Sequence, residues 1–372
     1  MTQSFQEQMH EAKRLTQAGR LLDATRLIQR AIAPGVPLRN ADENTESDVL
    51  DGLVREVDDV DLCEQAPVSA ASPDLKRGPQ ASSGGSFASG QFVRDAQTNH
   101  YKLFTPPQAA AGERLPLVVM LHGCTQNPDD FSLGTAMNTA ACAQGFYVLY
   151  PSQQRAANSQ GCWNWFERGH QQRDAGEPAW IAELTLQLLR TLPIDSQRVY
   201  IAGLSAGGAM AAVVATAYPE IFAALGVHSG LPVGAARNLA EALNAMKRGA
   251  PQPTRVTNPV PSIVFHGDQD RTVHAANARG LVEASTAGFN CAMRVESGNA
   301  NGRRFTCTAY EREGKTQAEL WQLHGSGHAW SGGNPAGSYA DAKGTDATAE
   351  MLRFFWLHHR ALPAEPSASN SD

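Results

Sequence analysis

Five short, nearly unbroken apolar runs constrain this chain more than any other feature. They are Leu117-Val118-Val119-Met120-Leu121, Phe146-Tyr147-Val148-Leu149-Tyr150, Val199-Tyr200-Ile201-Ala202, Ala223-Ala224-Leu225-Gly226-Val227 and Ser262-Ile263-Val264-Phe265. Each is too short for a buried helix and lacks polar alternation, so each suits a strand covered on both faces. Helical patterns fall between them, over Thr135 to Gln144, Pro178 to Leu192, Ala206 to Tyr218 and Ala236 to Met246, with a last one from Asp346 to His359. Strand alternating with helix predicts an α/β fold, a mostly parallel central sheet with helices on both faces. At 372 residues the chain can bury a core without metals or disulfide staples.

The first 90 residues read differently. Phe5, Met9, Ala12 and Leu15, then Leu21, Ala24, Leu27, Ile28, Ala31 and Ile32, recur at helical spacing around Gly19. They predict a helical hairpin over residues 1–35, a packing or self-association arm or a protein-docking module. Residues 36–90 lose periodicity and read as an acidic, Gly/Ser-rich flexible linker. The alternating strands and helices are expected to form the main domain over 91–362, with 363–372 as a disordered tail. Net charge is -6, from 31 Lys+Arg and 37 Asp+Glu. Ten of those acids and one base, Arg55, lie between Asp42 and Glu64, so the rest of the chain is slightly basic. No basic surplus large enough for a general nucleic-acid binder is present. No apolar run spans a bilayer, and no secretory signal is visible at the N-terminus.

Chemistry concentrates where strands end. Gly203-Leu204-Ser205-Ala206-Gly207 follows a strand and opens a helix, the context in which G-x-S-x-G forms a nucleophile elbow. His122-Gly123-Cys124 follows an earlier strand and can aim the Cys124 N–H at an oxyanion, with the Ala206 N–H as second donor. His266-Gly267-Asp268-Gln269-Asp270 supplies a carboxylate, and Gly327-His328-Ala329-Trp330 a histidine. The chain order Ser, Asp, His is that of α/β-hydrolases, which predicts Ser205 as nucleophile, His328 as base and Asp270 as its orienting acid. Asp270 is preferred over Asp268 by the HG-x-x-D pattern, leaving Asp268 as a turn former. His324 and His328 are four apart, but the glycines between them argue against a metal-binding helix, so no metal is expected. No phosphate-binding glycine loop implies a nucleotide, and no cofactor is expected.

These motifs, with Gly161-Cys162-Trp163-Asn164-Trp165-Phe166 and Gly337-Ser338-Tyr339-Ala340-Asp341, resemble the polyhydroxybutyrate depolymerase family of esterases, which also holds feruloyl and acetylxylan esterases. Ser331 departs from it where some members carry proline. The resemblance implies a serine ester hydrolase acting on polyhydroxyalkanoate chains or oligomers, with plant-polysaccharide feruloyl or acetyl esters as the alternative. A non-catalytic adaptor, binding a partner or a polymer granule through the N-terminal arm, is the contrasting class. The resemblance also implies Trp163, Trp165 and Trp330 as substrate-binding residues. Cys124 and Cys162 are expected to bridge the oxyanion and aromatic loops. Cys291 and Cys307 flank an expected hairpin whose closure would be worth about 3 kcal/mol, Cys142 reads as a small packing residue, and Cys63 as a bystander. The family is mostly extracellular, whereas the missing signal points to the cytoplasm, so location stays open.

Overall fold

The computed structural model describes residues 84–251 and 256–360. The expected helical hairpin, nearly all of the linker and the C-terminal tail lie outside them. The described chain builds a ten-stranded sheet in the order β1-β2-β4-β3-β5-β6-β7-β10-β9-β8. In chain order the strands are β1 (Ser86–Arg94), β2 (Gln97–Thr105), β3 (Leu115–Leu121), β4 (Tyr147–Ser152), β5 (Ile194–Leu204), β6 (Ala224–His228), β7 (Ser262–Gly267), β8 (Ala292–Ala300), β9 (Arg303–Arg312) and β10 (Lys315–Leu323). A two-stranded parallel pair, β11 (Trp330–Ser331) and β12 (Ala340–Asp341), stands apart. The six central strands, β4 to β10 in that order, are parallel, and antiparallel pairs flank them on both sides. This is the mostly parallel α/β sheet expected from the apolar runs, in the α/β-hydrolase arrangement expected from the order of the motifs. β1 begins inside the segment expected to be linker.

The centre of the sheet shows why the runs are continuous. Leu117, Val119 and Leu121 join the core on one face, and Val118 and Met120 the core on the other. Successive side chains point to opposite faces, so a strand with both faces covered needs apolar residues throughout. The helices are α1 (Pro128–Thr135), α2 (Met137–Gln144), α3 (Gly176–Thr191), α4 (Ala206–Ala217), α5 (Leu239–Arg248), α6 (Ala276–Thr286) and α7 (Ala347–Trp356). Where one helix was expected from Thr135, two form. Asn127 caps the first by accepting from the Asp130 N–H, and Ala136, in the left-handed region at φ 53°, separates them. The helix expected from Ala236 starts at Leu239 because Asn238 caps it.

The parallel strands all end on one edge. There β3 leads away to β4 on one side while β5 lies on the other, and a crevice opens where consecutive connections diverge in this way. The loops after β3, β5, β7 and β10 carry the four motifs to this edge.

Candidate active site

The elbow is dictated by steric limits. Ser205 sits at φ 57°, ψ -121°, a strained conformation for a residue with a Cβ that lifts the side chain off the end of β5. The small residues around it are required. A Cβ on Gly207 would collide with the carbonyl oxygens of Leu121 and His122, and one on Gly203 with the Gly207 backbone. The first turn of α4 therefore lies directly against the end of β3. Ser205 donates its N–H to His228 O (2.9 Å) and accepts at its own carbonyl from Ala209 (2.9 Å).

Two loops close over the serine. A Cβ placed on Gly123 would stand 3.7 Å from that of Ser205, so the loop after β3 lies beside the serine. In this loop Gly123 N–H bonds Gln126 Oε1 (2.9 Å), Thr125 N–H bonds Gln160 O (2.8 Å) and Gln126 N–H bonds Gly123 O (3.4 Å). The Cys124 and Ala206 N–H groups, the two expected oxyanion donors, have no acceptor among the described residues. Cys124 and Cys162 form the expected disulfide, with Cα atoms 4.2 Å apart.

The buried polar groups behind the loop fix it further. Gln153 N–H donates to His122 Nε2 (3.1 Å), so His122 Nδ1–H faces Gly123 O (2.8 Å). Burial pushes the His122 pKa down to about 4, which keeps this neutral tautomer. Glu177, buried at the start of α3, accepts from Gln153 Nε2 (2.5 Å), Asn164 N (2.7 Å) and Asn164 Nδ2 (2.7 Å).

Asp270 and His328 meet at the end of β7. His328 Nδ1–H donates to Asp270 Oδ2 (2.7 Å), and Asp270 Oδ1 accepts from the Thr272 N–H (2.9 Å) and the Val273 N–H (2.8 Å). Burial pushes the Asp270 pKa up, but the His328 hydrogen bond and charge, with the Val273 N–H, outweigh it and hold the acid at about 2. The carboxylate therefore stays ionised and fixes His328 with Nε2 as the free nitrogen. No Ser205–His328 hydrogen bond is formed among the described residues, as is common when no substrate is bound.

Asp268 makes a second pair. Its Oδ2 accepts from His324 Nδ1 (3.0 Å) and its Oδ1 from the Gly325 N–H (2.7 Å), while its own N–H reaches Leu323 O (3.1 Å). It is more than a turn former, because it ties the loop carrying His328 to the turn carrying Asp270.

The tryptophans correct the expectation. Trp163 is wholly buried, donates Nε1–H to His122 O (3.1 Å) and packs on Trp180. Trp330 is equally enclosed, stacks on His228 at 5.3 Å and donates to Thr348 Oγ1 (3.0 Å). Trp165 is buried against Phe166. All three are enclosed, and their packing and hydrogen bonds hold loops in place. The exposed aromatic missed as a site residue is Tyr339, whose ring lies edge-on to His328 at 6.3 Å and whose hydroxyl is 3.4 Å from Thr125 Oγ1. Its signal was the Gly-Ser-Tyr-Ala-Asp run. His228, also unassigned from sequence, is buried between Phe265 and Trp330 and accepts from the Ser331 N–H (3.1 Å), its pKa driven by burial down to about 3.

The remaining cysteines correct a second expectation. β8 and β9 form the expected hairpin, but Cys307 faces Glu296, five positions beyond Cys291. At about 3.3 Å per residue that offset far exceeds disulfide reach, and both thiols are free. Cys142, read as a packing residue, is buried and disulfide-bonded.

The family model Esterase PHB depolymerase matches residues 99–293, more than half of the chain. Among curated proteins, poly(3-hydroxyalkanoate) depolymerase C of Paucimonas lemoignei is 35% identical over 184 residues, 46% of this chain and 44% of that protein. Probable acetylxylan esterase A of Aspergillus fumigatus is 24% identical over 229 residues, 56% of this chain and 60% of that protein. Feruloyl esterase B of Thermothelomyces thermophilus is 34% identical over 124 residues, 32% and 41% of the two chains. The chain thus spans less than two thirds of the length of these relatives. Among solved structures, acetyl xylan esterase from Aspergillus awamori superposes with a TM-score of 0.55 at 19% identity, covering 73% of this chain and 99% of that one, a likeness of fold. With the family model matching from β2 into β8, the chain belongs to the PHB depolymerase esterase family.

Proposed function

We propose that the protein is a serine carboxylic-ester hydrolase that cleaves polyhydroxyalkanoate chains or their oligomers through an acyl-enzyme. The observation that carries this reading is the 2.7 Å Asp270–His328 hydrogen bond, formed on the same sheet edge as a serine raised on a strained elbow. His328 Nε2 takes the proton of Ser205 as its Oγ adds to the ester carbon, and the developing oxyanion receives the Cys124 and Ala206 N–H groups. Collapse breaks the bond between the acyl carbon and the ester's alcohol oxygen, His328 gives the proton to the leaving alcohol, and the acyl group stays on Ser205. Water then enters by the same route in reverse and frees the acid.

The depolymerase relatives support polyester as substrate. Acetyl or feruloyl esters of plant polysaccharide are the second reading, supported by the names of the esterase relatives. The disulfide beside the nucleophile suits an oxidising compartment. The test sets purified protein and its Ser205→Ala variant against p-nitrophenyl butyrate, polyhydroxybutyrate film, methyl ferulate and acetylated xylan. Turnover by the wild type alone, highest on the polyester, is the expected result. Equal inertness of both proteins on all four substrates would overturn the esterase reading.

A further inference from the structure

A cavity of about 540 Å³ lies between the loop after β4 and the loop after β6, on the edge that carries Ser205. Gln171 Nε2 joins the two loops, donating to Trp165 O (2.8 Å) and Ala236 O (2.7 Å). Arg168 and Arg237 both line the cavity, and neither guanidinium has an acceptor among the described residues. Glu167 is the carboxylate in the lining, so the two arginines outnumber it. The N-terminus of α5 is closed on itself, Asn238 Oδ1 accepting from the Glu241 N–H (3.0 Å) and Glu241 Oε2 from the Arg237 N–H (3.0 Å), and Phe166 and Leu239 add apolar wall. Two guanidinium groups without an acceptor favour a carboxylate guest.

The cavity also has a fixed relation to the nucleophile. Asn158, in its wall, accepts from the Cys162 N–H (3.3 Å), Cys162 is bridged to Cys124, and the Cys124 loop lies against Ser205. On the other side, His228 at the end of β6 pairs with Leu204.

We propose that this cavity is a carboxylate subsite for the leaving half of a hydroxy-acid oligoester. The proposal rests on the esterase reading and sharpens its substrate. In an oligomer of hydroxy acids the acyl half stays on Ser205 while the half released as alcohol keeps the free carboxylate of the chain. Acetyl or feruloyl sugar esters release an uncharged hydroxyl, which gives two arginines nothing to bind. The subsite therefore favours short acid-terminated oligomers over carboxyl-blocked chains and sugar esters.

Two measurements test it. The first compares kcat/KM for the 3-hydroxybutyrate dimer as free acid and as methyl ester, in the wild type and in an Arg168→Ala/Arg237→Ala variant. Both positions are exposed, where substitution rarely unfolds a protein. The acid-to-ester preference should fall about tenfold in the variant, and an unchanged preference would overturn the subsite. The second is calorimetric titration of the free-acid dimer into Ser205→Ala protein with and without the two arginine substitutions. Binding lost with the arginines supports the subsite, and equal or absent binding in both overturns it, whatever the esterase assays give.

Discussion

Two aspartate–histidine pairs stand side by side at the end of the sheet, and their difference separates chemistry from scaffolding. Asp270–His328 and Asp268–His324 use the same residue types, at 2.7 Å and 3.0 Å. The first is enclosed, with side chains 0% and 10% exposed, and the second is open, at 42% and 34%. Ion pairs in water are worth little, whereas an enclosed carboxylate with backbone N–H donors keeps its charge and orients its partner. His324 Nε2 is already spent on Thr306 Oγ1 (3.0 Å), while His328 Nε2 has no partner among the described residues. Burial and a spare nitrogen, rather than residue type, fit the first pair to the proposed base and the second to a clasp.

The largest effect should come from the histidines themselves. His328→Ala is expected to lower kcat on p-nitrophenyl butyrate by about ten-thousandfold. His324→Ala should cost no more than about tenfold, because it loosens only the loop. Comparable losses in both would erase the distinction.

Acidification provides an intermediate effect that reads burial directly. Burial holds His122, His228 and His358 at about 4, 3 and 4, below the ordinary 6.5. An unfolded chain binds protons at these groups first, so their contribution is whole above pH 6.5 and is lost as pH falls toward the folded values. Asp270, held at about 2 against 3.8, has the same sign and is lost lower, as pH falls through 3.8 to 2. Melting temperature should therefore drop by roughly 5–15 °C between pH 7 and pH 4, and His358→Gln, away from the site, should flatten that slope. A flat profile in the wild type would contradict the buried neutral histidines.

The smallest effect concerns the open pair. Asp268→Asn should lower Tm by no more than a degree or two, about what an exposed hydrogen-bonded pair contributes. A larger drop would show the clasp to be stronger than its exposure allows.

What the sequence made legible follows the same contrast. The central strands were readable because burial on both faces demands unbroken apolar runs, and the elbow because its glycines face backbone atoms that leave no room for a Cβ. β1 and β2 were not, since strands at this margin of the sheet alternate with solvent and their polar residues form no apolar run. The tryptophans misled because an indole next to a catalytic motif looks the same in sequence whether it faces substrate or, like Trp163, donates to a carbonyl behind the site. Pairing of Cys291 with Cys307 failed on strand register, which spacing along the chain does not reveal. Asp268 read as a turn former because its bond to Gly325 spans two loops far apart in sequence.

The most direct test compares Asp270→Asn with Asp268→Asn, each keeping its side-chain volume, by kcat/KM on p-nitrophenyl butyrate at pH 7. The enclosed pair predicts a loss of about a thousandfold or more for Asp270→Asn and no more than about tenfold for Asp268→Asn. Near-full activity in Asp270→Asn with collapse in Asp268→Asn would contradict the assignment of the acid.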